Sequence, residues 1–135
     1  MKNTLLILLF FTFNQLAFGQ NRKLTDEEIN NSGPTKMTFI EKCDEVEKLY
    51  KADLKKGTIF LLLQGGIAPV VITTDKAFEN KYQTYYYDFG CNAPNLDCLK
   101  KYNELVFIHL TELYGNKWKK EVRRDVIGLK KWKQK

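Results

Sequence analysis

Histidine, cysteine and proline are scarce in this sequence, and their scarcity limits the chemistry open to the protein. The 135 residues include one histidine, three cysteines and three prolines. Neither a Cys-x-x-Cys nor a His-Glu-x-x-His spacing occurs, and protein zinc sites are commonly built on such spacings. We therefore expect neither a bound metal nor another cofactor.

A cysteine nucleophile activated by the one histidine is also disfavoured. Cys98 lies near the start of a segment with helical periodicity, and His109 lies eleven residues further along it. That separation corresponds to about 16 Å along a helix axis, too far for the two side chains to share a proton. Glu79 and Asp88 flank a predicted strand and are the alternative acid–base pair. Glycoside hydrolysis needs a set separation between its carboxylates, which the sequence does not supply.

The amino terminus has the three parts of a secretory signal peptide. Lys2 supplies the positive charge, Leu5 to Phe13 form an almost unbroken apolar run, and the small residues Ala17 and Gly19 precede a cleavage site before Gln20. The run is about half as long as a membrane-spanning helix requires. We predict an exported protein, periplasmic or secreted, with no transmembrane span after removal of the signal.

Positive charge is concentrated at the carboxyl terminus. The chain has a formal net charge of +6, and residues 116–135 hold nine Lys or Arg against two acidic residues. A predicted helix here places its apolar residues on one side and lysines such as Lys130 and Lys131 on the other. Docking of the apolar side on the domain is favoured. Weak contact of residues 117–135 with an anionic membrane or another polyanion is the alternative, and no specific nucleic-acid binding is expected.

Export would bring the cysteines into an oxidising compartment, where a pair is expected to be bridged. Cys91 and Cys98 are the preferred pair, because the segment between them carries Pro94 and two asparagines and is typical of a loop. Cys43 falls on the apolar stripe of a predicted helix and would then be buried or free. Its pairing with Cys91 or with Cys98 stays open.

Hydrophobic periodicity predicts one α+β domain. Apolar residues have helical spacing in four segments: 38–56, 75–82, 96–114 and 117–132. The composition is typical of strands in three segments: 58–64, 70–74 and 84–89. We therefore expect a small three-stranded sheet packed against about four helices. This single domain covers residues 37–135, after the signal peptide at 1–19 and a mobile polar leader at 20–36.

Four tyrosines lie within residues 82–87. Alternation along the third predicted strand turns Tyr85 and Tyr87 to the same face. Packing of that face against the helices is favoured, and its use as a recognition surface is the alternative. The candidate partner-binding residues are therefore Tyr85 and Tyr87 together with Lys130 and Lys131 of the tail.

The segment Phe78-Glu79-Asn80-Lys81-Tyr82 resembles the name motif of the FEKKY domain, a small exported bacterial domain typical of Bacteroidetes. Asn80 stands where the name motif has Lys. Further landmarks extend the resemblance over about residues 57–120: Gly90-Cys91, Tyr102-Asn103, Tyr114-Gly115 and Trp118. That family has no established activity, so the resemblance implies export and a single domain but no catalytic or binding residue.

Two functional hypotheses of different classes follow. The favoured one is a non-enzymatic module that binds an unknown protein or another component of the cell envelope, because the sequence assembles no set of nucleophile, base and metal ligands. The alternative is a small extracytoplasmic enzyme that uses a thiol or a carboxylate pair. A cleft containing Glu79, Asp88 and His109 together would favour the enzyme.

Overall fold

A computed structural model describes residues 22–68 and 70–134, so the predicted signal peptide lies outside the described residues. Within these residues, no helix is long and apolar enough to span a bilayer. The mixed helix and strand class is confirmed. The elements are α1 Asp26–Asn30, α2 Gly33–Met37, a 3-10 helix Cys43–Glu45, α3 Val46–Lys56, β1 Ile59–Leu63, α4 Asp75–Tyr82, β2 Thr84–Asp88, α5 Leu96–Tyr114, α6 Trp118–Glu121 and α7 Leu129–Trp132.

The sheet has two strands in the described residues, and they run parallel. Ile59 lies opposite Thr84, and Leu63 lies opposite Asp88. Parallel neighbours need a crossover connection, and α4 supplies it while packing on β2. The predicted three-stranded sheet with about four helices is therefore wrong. One of the three predicted strands is absent from the described residues, and short helices near both ends of the described chain raise the number of helices above four.

The missing strand is residues 70–74, which belong to the loop between β1 and α4. The free edge of β1 is used instead by Asn103 of α5. Its side chain accepts from the Leu62 amide at 2.8 Å and donates to the Leu62 carbonyl at 3.0 Å. Val126 adds an antiparallel bridge to Leu63. An asparagine side chain and the carboxyl-terminal segment thus satisfy backbone groups that a third strand would have satisfied.

The core lies between α5 and the sheet. All five residues of β1 are buried, and each fully buried side chain of this size contributes roughly 1.5–3 kcal/mol to stability. The helix predicted at 96–114 is confirmed, with Asn95 as its cap and Gly115 after its end. Helical spacing in this segment predicts an apolar stripe of six residues that includes Leu96 and Leu113; these two are exposed, and the other four are fully buried. The buried members are Leu99, Tyr102, Val106 and Leu110.

The described part of the predicted mobile leader is folded, which corrects that expectation for residues 20–36. Thr25 begins α1 with a capping box, and Ser32 caps α2. The buried Gly33 amide donates to both carboxylate oxygens of Asp53, each at 2.9 Å. This buried contact connects α2 to α3. The sequence around Gly33 and Pro34 does not predict it, because the acceptor lies twenty residues later in the chain.

The first predicted helix begins later than expected. Its apolar spacing from residue 38 onward is broken, because Phe39 is 82% exposed and the chain passes through the 3-10 helix before α3 starts at Val46. Its predicted end is confirmed. Gly57 adopts a left-handed conformation with φ 69°, which glycine reaches without a steric penalty.

The predicted basic helix after Asn116 is divided into α6 and α7. Val122 is extended with ψ 144°, and Gly128 is left-handed with φ 83°. Docking of the apolar side on the domain is confirmed even though the continuous helix is wrong. Relative exposures are 5% or less at Trp118, Val122, Val126 and Leu129.

The disulfide joins Cys43 to Cys98 across 55 residues, so the predicted Cys91–Cys98 pair is wrong. Cys91 is a free and exposed thiol. The 3-10 helix that holds Cys43 packs on α5, and Cys98 lies in the first turn of α5. A disulfide is consistent with an oxidising, extracytoplasmic location.

Candidate functional site

The loop between β1 and α4 exposes apolar side chains. Ile67, Val70 and Val71 have relative exposures of 98%, 61% and 85%. The loop leaves the carboxyl end of β1, and β2 ends beside the same point because the strands are parallel. Ligands of open parallel sheets usually bind in the crevice at the carboxyl ends of the strands. This end of the sheet therefore holds the candidate site.

A cleft of about 460 Å³ opens there. Small-molecule sites commonly enclose roughly 300–1,000 Å³. The apolar wall comes from the loop and β1, and the polar wall comes from α4, β2 and the carboxyl-terminal segment. The residues that line this cleft are Leu63, Val70, Val71, Ile72, Thr73, Asp75, Lys76, Glu79, Tyr86, Asp88 and Arg123.

Arg123 connects three parts of the chain around the cleft. Its Nη1 donates to the Val70 carbonyl at 2.8 Å and to Asp75 Oδ2 at 3.0 Å. Its Nε and Nη2 donate to the two oxygens of Asp125 at 3.0 and 2.6 Å. The hydrogen bonds to Asp125 are the main reason why the pKa of Arg123 lies above its usual range. The guanidinium thus stays charged and fixes the loop against α4.

Asp75 uses one carboxylate oxygen in the fold. Oδ2 accepts from the Ile72 amide at 2.9 Å and from Arg123. Oδ1 is buried and has no hydrogen-bond partner. Buried polar atoms are paired in the large majority of cases, so Oδ1 is an acceptor that the fold itself leaves unused.

Glu79 lies one helical turn after Asp75 and joins α4 to β2. Its Oε1 accepts from the Tyr86 amide at 3.1 Å, and its Oε2 lies 3.3 Å from Lys76 Nζ. The Tyr86 amide is therefore satisfied by a side chain of α4 rather than by another strand. The carboxylate is held at the wall of the cleft.

Asp88 is held at the end of β2 by two glycine amides. Its Oδ1 accepts from Gly65 and from Gly90, each at 2.8 Å. A Cβ atom at Gly65 would lie 2.4 Å from Asp88 Oδ2, so the carboxylate approaches this closely because Gly65 has no side chain. The hydrogen bond from Gly65 to Asp88 thus connects the turn after β1 to the end of β2 at the cleft.

Tyr86 places an aromatic ring and a hydroxyl in the cleft wall. Its ring centroid lies 5.4 Å from that of Phe78 and 5.6 Å from the Arg123 guanidinium carbon. Its hydroxyl accepts from the Arg123 amide at 3.2 Å. Burial raises the pKa of Tyr86 well above its usual range, so the hydroxyl keeps its proton and can donate a hydrogen bond.

The segment that resembles the FEKKY motif is the second half of α4, and most of its side chains have structural roles. Phe78 and Tyr82 are buried with their ring centroids 4.6 Å apart. Lys81 Nζ and the Tyr82 hydroxyl both donate to Glu121 of α6, at 2.7 and 3.0 Å. Glu79 is the member of the segment that lines the cleft.

The two predicted partner-binding tyrosines pack inward. Tyr85 is 6% exposed, with its ring 6.1 Å from Phe60. Tyr87 is partly buried, and its hydroxyl lies 3.3 Å from Thr35 Oγ1. The favoured interpretation of this strand face as a packing surface is confirmed. Tyr86, on the opposite face, reaches the cleft instead.

The predicted tail lysines are exposed on α7. A smaller hollow of about 300 Å³ lies beside them, lined by Arg124, Leu129, Lys130 and Lys133. Its cations lie on the surface, where a single ion pair contributes little affinity. The hollow has positive character, and Lys133 Nζ donates to the Lys119 carbonyl at 2.6 Å, a hydrogen bond that joins two parts of the same tail.

The structure gathers part of the predicted catalytic set. Glu79 and Asp88 line the same cleft, whereas His109 lies on α5 and is not among the described lining residues. Cys91 is exposed in the loop after β2. No group of three or more His, Cys, Asp or Glu in the described part of the chain could hold a metal ion.

Sequence reasoning misses three cleft residues. From the sequence, Asp75 is one of two candidate helix caps with Thr74, Tyr86 is the outward residue of a strand, and Arg123 is one of many tail cations; the structure places Thr74 at the N-cap position. Strand alternation is a usable signal for Tyr86, because it separates this residue from its two neighbours. No local pattern joins Arg123 to Asp75, which lies 48 residues earlier.

Comparison of the chain with protein-family models, with curated proteins and with solved structures gave no match. The resemblance to the FEKKY domain therefore stays a prediction from the residues of α4 and the other landmarks. The function has to be inferred from the cleft itself.

Proposed function

We propose that this protein is an exported, non-enzymatic binding domain whose binding site is the cleft at the carboxyl ends of β1 and β2. The observation that carries the proposal is the set of hydrogen bonds made by Arg123, which reaches Val70 in the loop, Asp75 in α4 and Asp125 in its own segment. These bonds hold the cleft open in one shape. A preformed site loses less conformational entropy when it binds.

Binding is favoured over catalysis because the cleft carboxylates already serve the fold. Glu79 accepts from the Tyr86 amide, and Asp88 accepts from two glycine amides. The described lining residues include no Cys, Ser or His, so the carboxylates meet neither a thiol nor an imidazole there. This arrangement supports recognition of a ligand more than a carboxylate-pair or thiol enzyme.

Export is part of the proposal. It is supported by the signal-peptide pattern of residues 1–19 and by the Cys43–Cys98 disulfide. A periplasmic or secreted domain with a preformed cleft would meet its ligand in the cell envelope or its surroundings. Membership of the FEKKY family is proposed on the same footing, from the segment Phe78 to Tyr82.

Fragment binding followed by NMR chemical-shift mapping tests the site. Residues 20–135 are titrated with a library of small fragments, and we expect the bound ones to shift the amide signals of Val71, Tyr86 and Arg123. Val71→Ser removes part of the apolar wall and should weaken binding about fivefold. Ile67→Ser is the matched control in the same exposed loop, because Ile67 does not line the cleft.

Shifts confined to the region around Lys130 and Lys131 would contradict the proposal. They would support the anionic-surface alternative for residues 117–135 instead. Equal weakening by both serine variants would also contradict it, because the loop would then act as a general apolar patch.

A further inference from the structure

The cleft is locally acidic on a protein of positive net charge. The chain carries +6 overall. The lining contains three carboxylates and two cations: Asp75, Glu79, Asp88, Lys76 and Arg123. Arg123 is also paired with Asp125, which lies outside the described lining. The three carboxylates of the lining therefore outnumber its two cations, and the cleft has a net negative charge.

The unused oxygen of Asp75 is an independent observation at the same place. Asp75 is 8% exposed, and its Oδ1 is buried without a partner while Oδ2 holds Ile72 and Arg123. A buried carboxylate oxygen is satisfied best by a charged N–H donor, since such hydrogen bonds are the strong ones. The cleft wall thus holds an unpaired acceptor for a cation that can donate, and a ligand N–H reaches this buried oxygen only when a neighbouring side chain moves aside.

Lys76 does not already fill this role. Its Nζ lies 3.3 Å from Glu79 Oε2, and its side chain is 59% exposed. Exposed ion pairs of this kind are weak and are screened by salt. A ligand cation can therefore take the place of Lys76 on Glu79 without loss of a buried interaction.

The opposite wall is aliphatic. Val70, Val71 and Ile72 have relative exposures of 61%, 85% and 39%. An inorganic cation would leave these side chains in water. A cation with an aliphatic body would cover them and gain apolar contact.

We propose that the cleft binds an alkylammonium group, a deepening that rests on the proposed function. The ammonium donates to Asp75 Oδ1 with Glu79 and Asp88 beside it, and the alkyl chain lies along Val70 and Val71. An ammonium carries three N–H donors, which suits an acceptor set of several carboxylates. The same chemistry occurs in a free aliphatic amine and in the lysine side chain of a peptide.

Three probes with the same alkyl chain test the head group. Hexylammonium, hexanol and hexanoate are titrated separately into residues 20–135, with the amide signals of Ile72, Tyr86 and Gly65 as the readout. We expect hexylammonium to bind at least tenfold more tightly than hexanol, and hexanoate to leave these signals in place. Hexanol or hexanoate binding as tightly as hexylammonium would overturn the inference.

Matched variants test the acceptors. Asp75→Asn keeps an oxygen for the Ile72 amide and removes the charge, so it should weaken hexylammonium binding about tenfold. Glu79→Gln should weaken it less, and it keeps the test decisive should the first variant fail to fold. Asp97→Asn removes an 81% exposed carboxylate outside the cleft and should change nothing. If all three variants weaken hexylammonium binding equally, binding depends on the total charge of the protein and not on the cleft, and the inference is overturned.

A further arm separates the two sources. Tighter binding of N-acetyl-lysine N-methylamide than of hexylammonium assigns the site to peptide lysines, and the reverse assigns it to free amines. If none of the hexyl probes binds while library fragments still map to the cleft, the alkylammonium inference fails and the proposed function stands. If the library fragments shift only signals outside the cleft, the alkylammonium inference and the proposed function both fail.

Discussion

Asp53 in α3 and Asp75 at the start of α4 are both buried, with relative exposures of 1% and 8%, but the fold uses them differently. Both oxygens of Asp53 are engaged, since they accept from the Gly33 amide at 2.9 Å and Oδ2 also accepts from the Tyr102 hydroxyl at 2.6 Å. Asp75 has one engaged oxygen and one free one. The first carboxylate completes a closed network, and the second stands at the wall of a cleft.

The surroundings of the two aspartates explain this difference. Asp53 joins α2, α3 and α5 in a region where Tyr102 is fully buried and meets the ring of Tyr50 edge-on at 5.8 Å. Asp75 joins a loop with exposed apolar residues to Arg123. Satisfied buried networks stabilise and specify a fold, whereas an unpaired buried polar group requires an explanation, and a functional role is one.

Removal of each carboxylate should show the largest contrast. Asp53→Ala leaves the Gly33 amide and the Tyr102 hydroxyl buried without an acceptor, and should lower the free energy of unfolding by roughly 2–6 kcal/mol. Asp75→Ala should lower it by about 1–2 kcal/mol, because Arg123 keeps Asp125 as its partner. Urea unfolding of both variants measures the two losses, and a larger loss for Asp75→Ala would reverse the assignment of roles.

Two glycines sharpen the contrast at intermediate size. A Cβ at Gly33 would lie 2.4 Å from Asp53 Oδ2 and 3.2 Å from the Tyr102 ring, both of which are buried. A Cβ at Gly65 would lie equally close to Asp88 Oδ2, but Asp88 is only partly buried and can turn toward solvent. Gly33→Ala should therefore lower the thermal midpoint clearly more than Gly65→Ala. Equal shifts would mean that the region around Gly33 is as adaptable as the cleft.

The pH dependence of the free energy of unfolding should give the smallest of these effects. Burial raises the pKa of Asp53 despite the hydrogen bonds from Tyr102 and Gly33, which lower it. The folded protein then holds this proton more tightly than the unfolded chain, whose aspartates have a pKa of about 3.9. The free energy of unfolding should fall as pH rises from about 4 through the raised pKa. Asp53→Asn should remove this component, and parallel stability profiles of variant and wild type would contradict the assignment.

Local patterns predicted much of the fold correctly. The α5 helix from Leu96 to Tyr114 has a stripe, a cap and a glycine after its end, all within its own sequence. The strand at 84–88 alternates, and its tyrosines fall on the faces that alternation assigns. These elements need no information from distant residues.

Distant residues decide the elements that were predicted wrongly. Residues 70–74 are rich in β-branched side chains, yet Asn103 and Val126 take the edge of β1 that such a strand would need. Cys98 pairs with Cys43 rather than with Cys91 because the 3-10 helix packs on α5. The cleft follows the same rule, since its connecting residue Arg123 belongs to a segment whose pattern predicts a helix.

The Cys43–Cys98 disulfide encloses most of the cleft within one covalent ring. Both strands, α4 and the loop with exposed Ile67 and Val71 lie between the two cysteines, while Arg123 lies outside the ring. A protease that cuts this loop would leave the two pieces linked through sulfur. This exposed apolar loop can therefore be cut without separating the protein into fragments, and the tolerance to nicking comes from this disulfide.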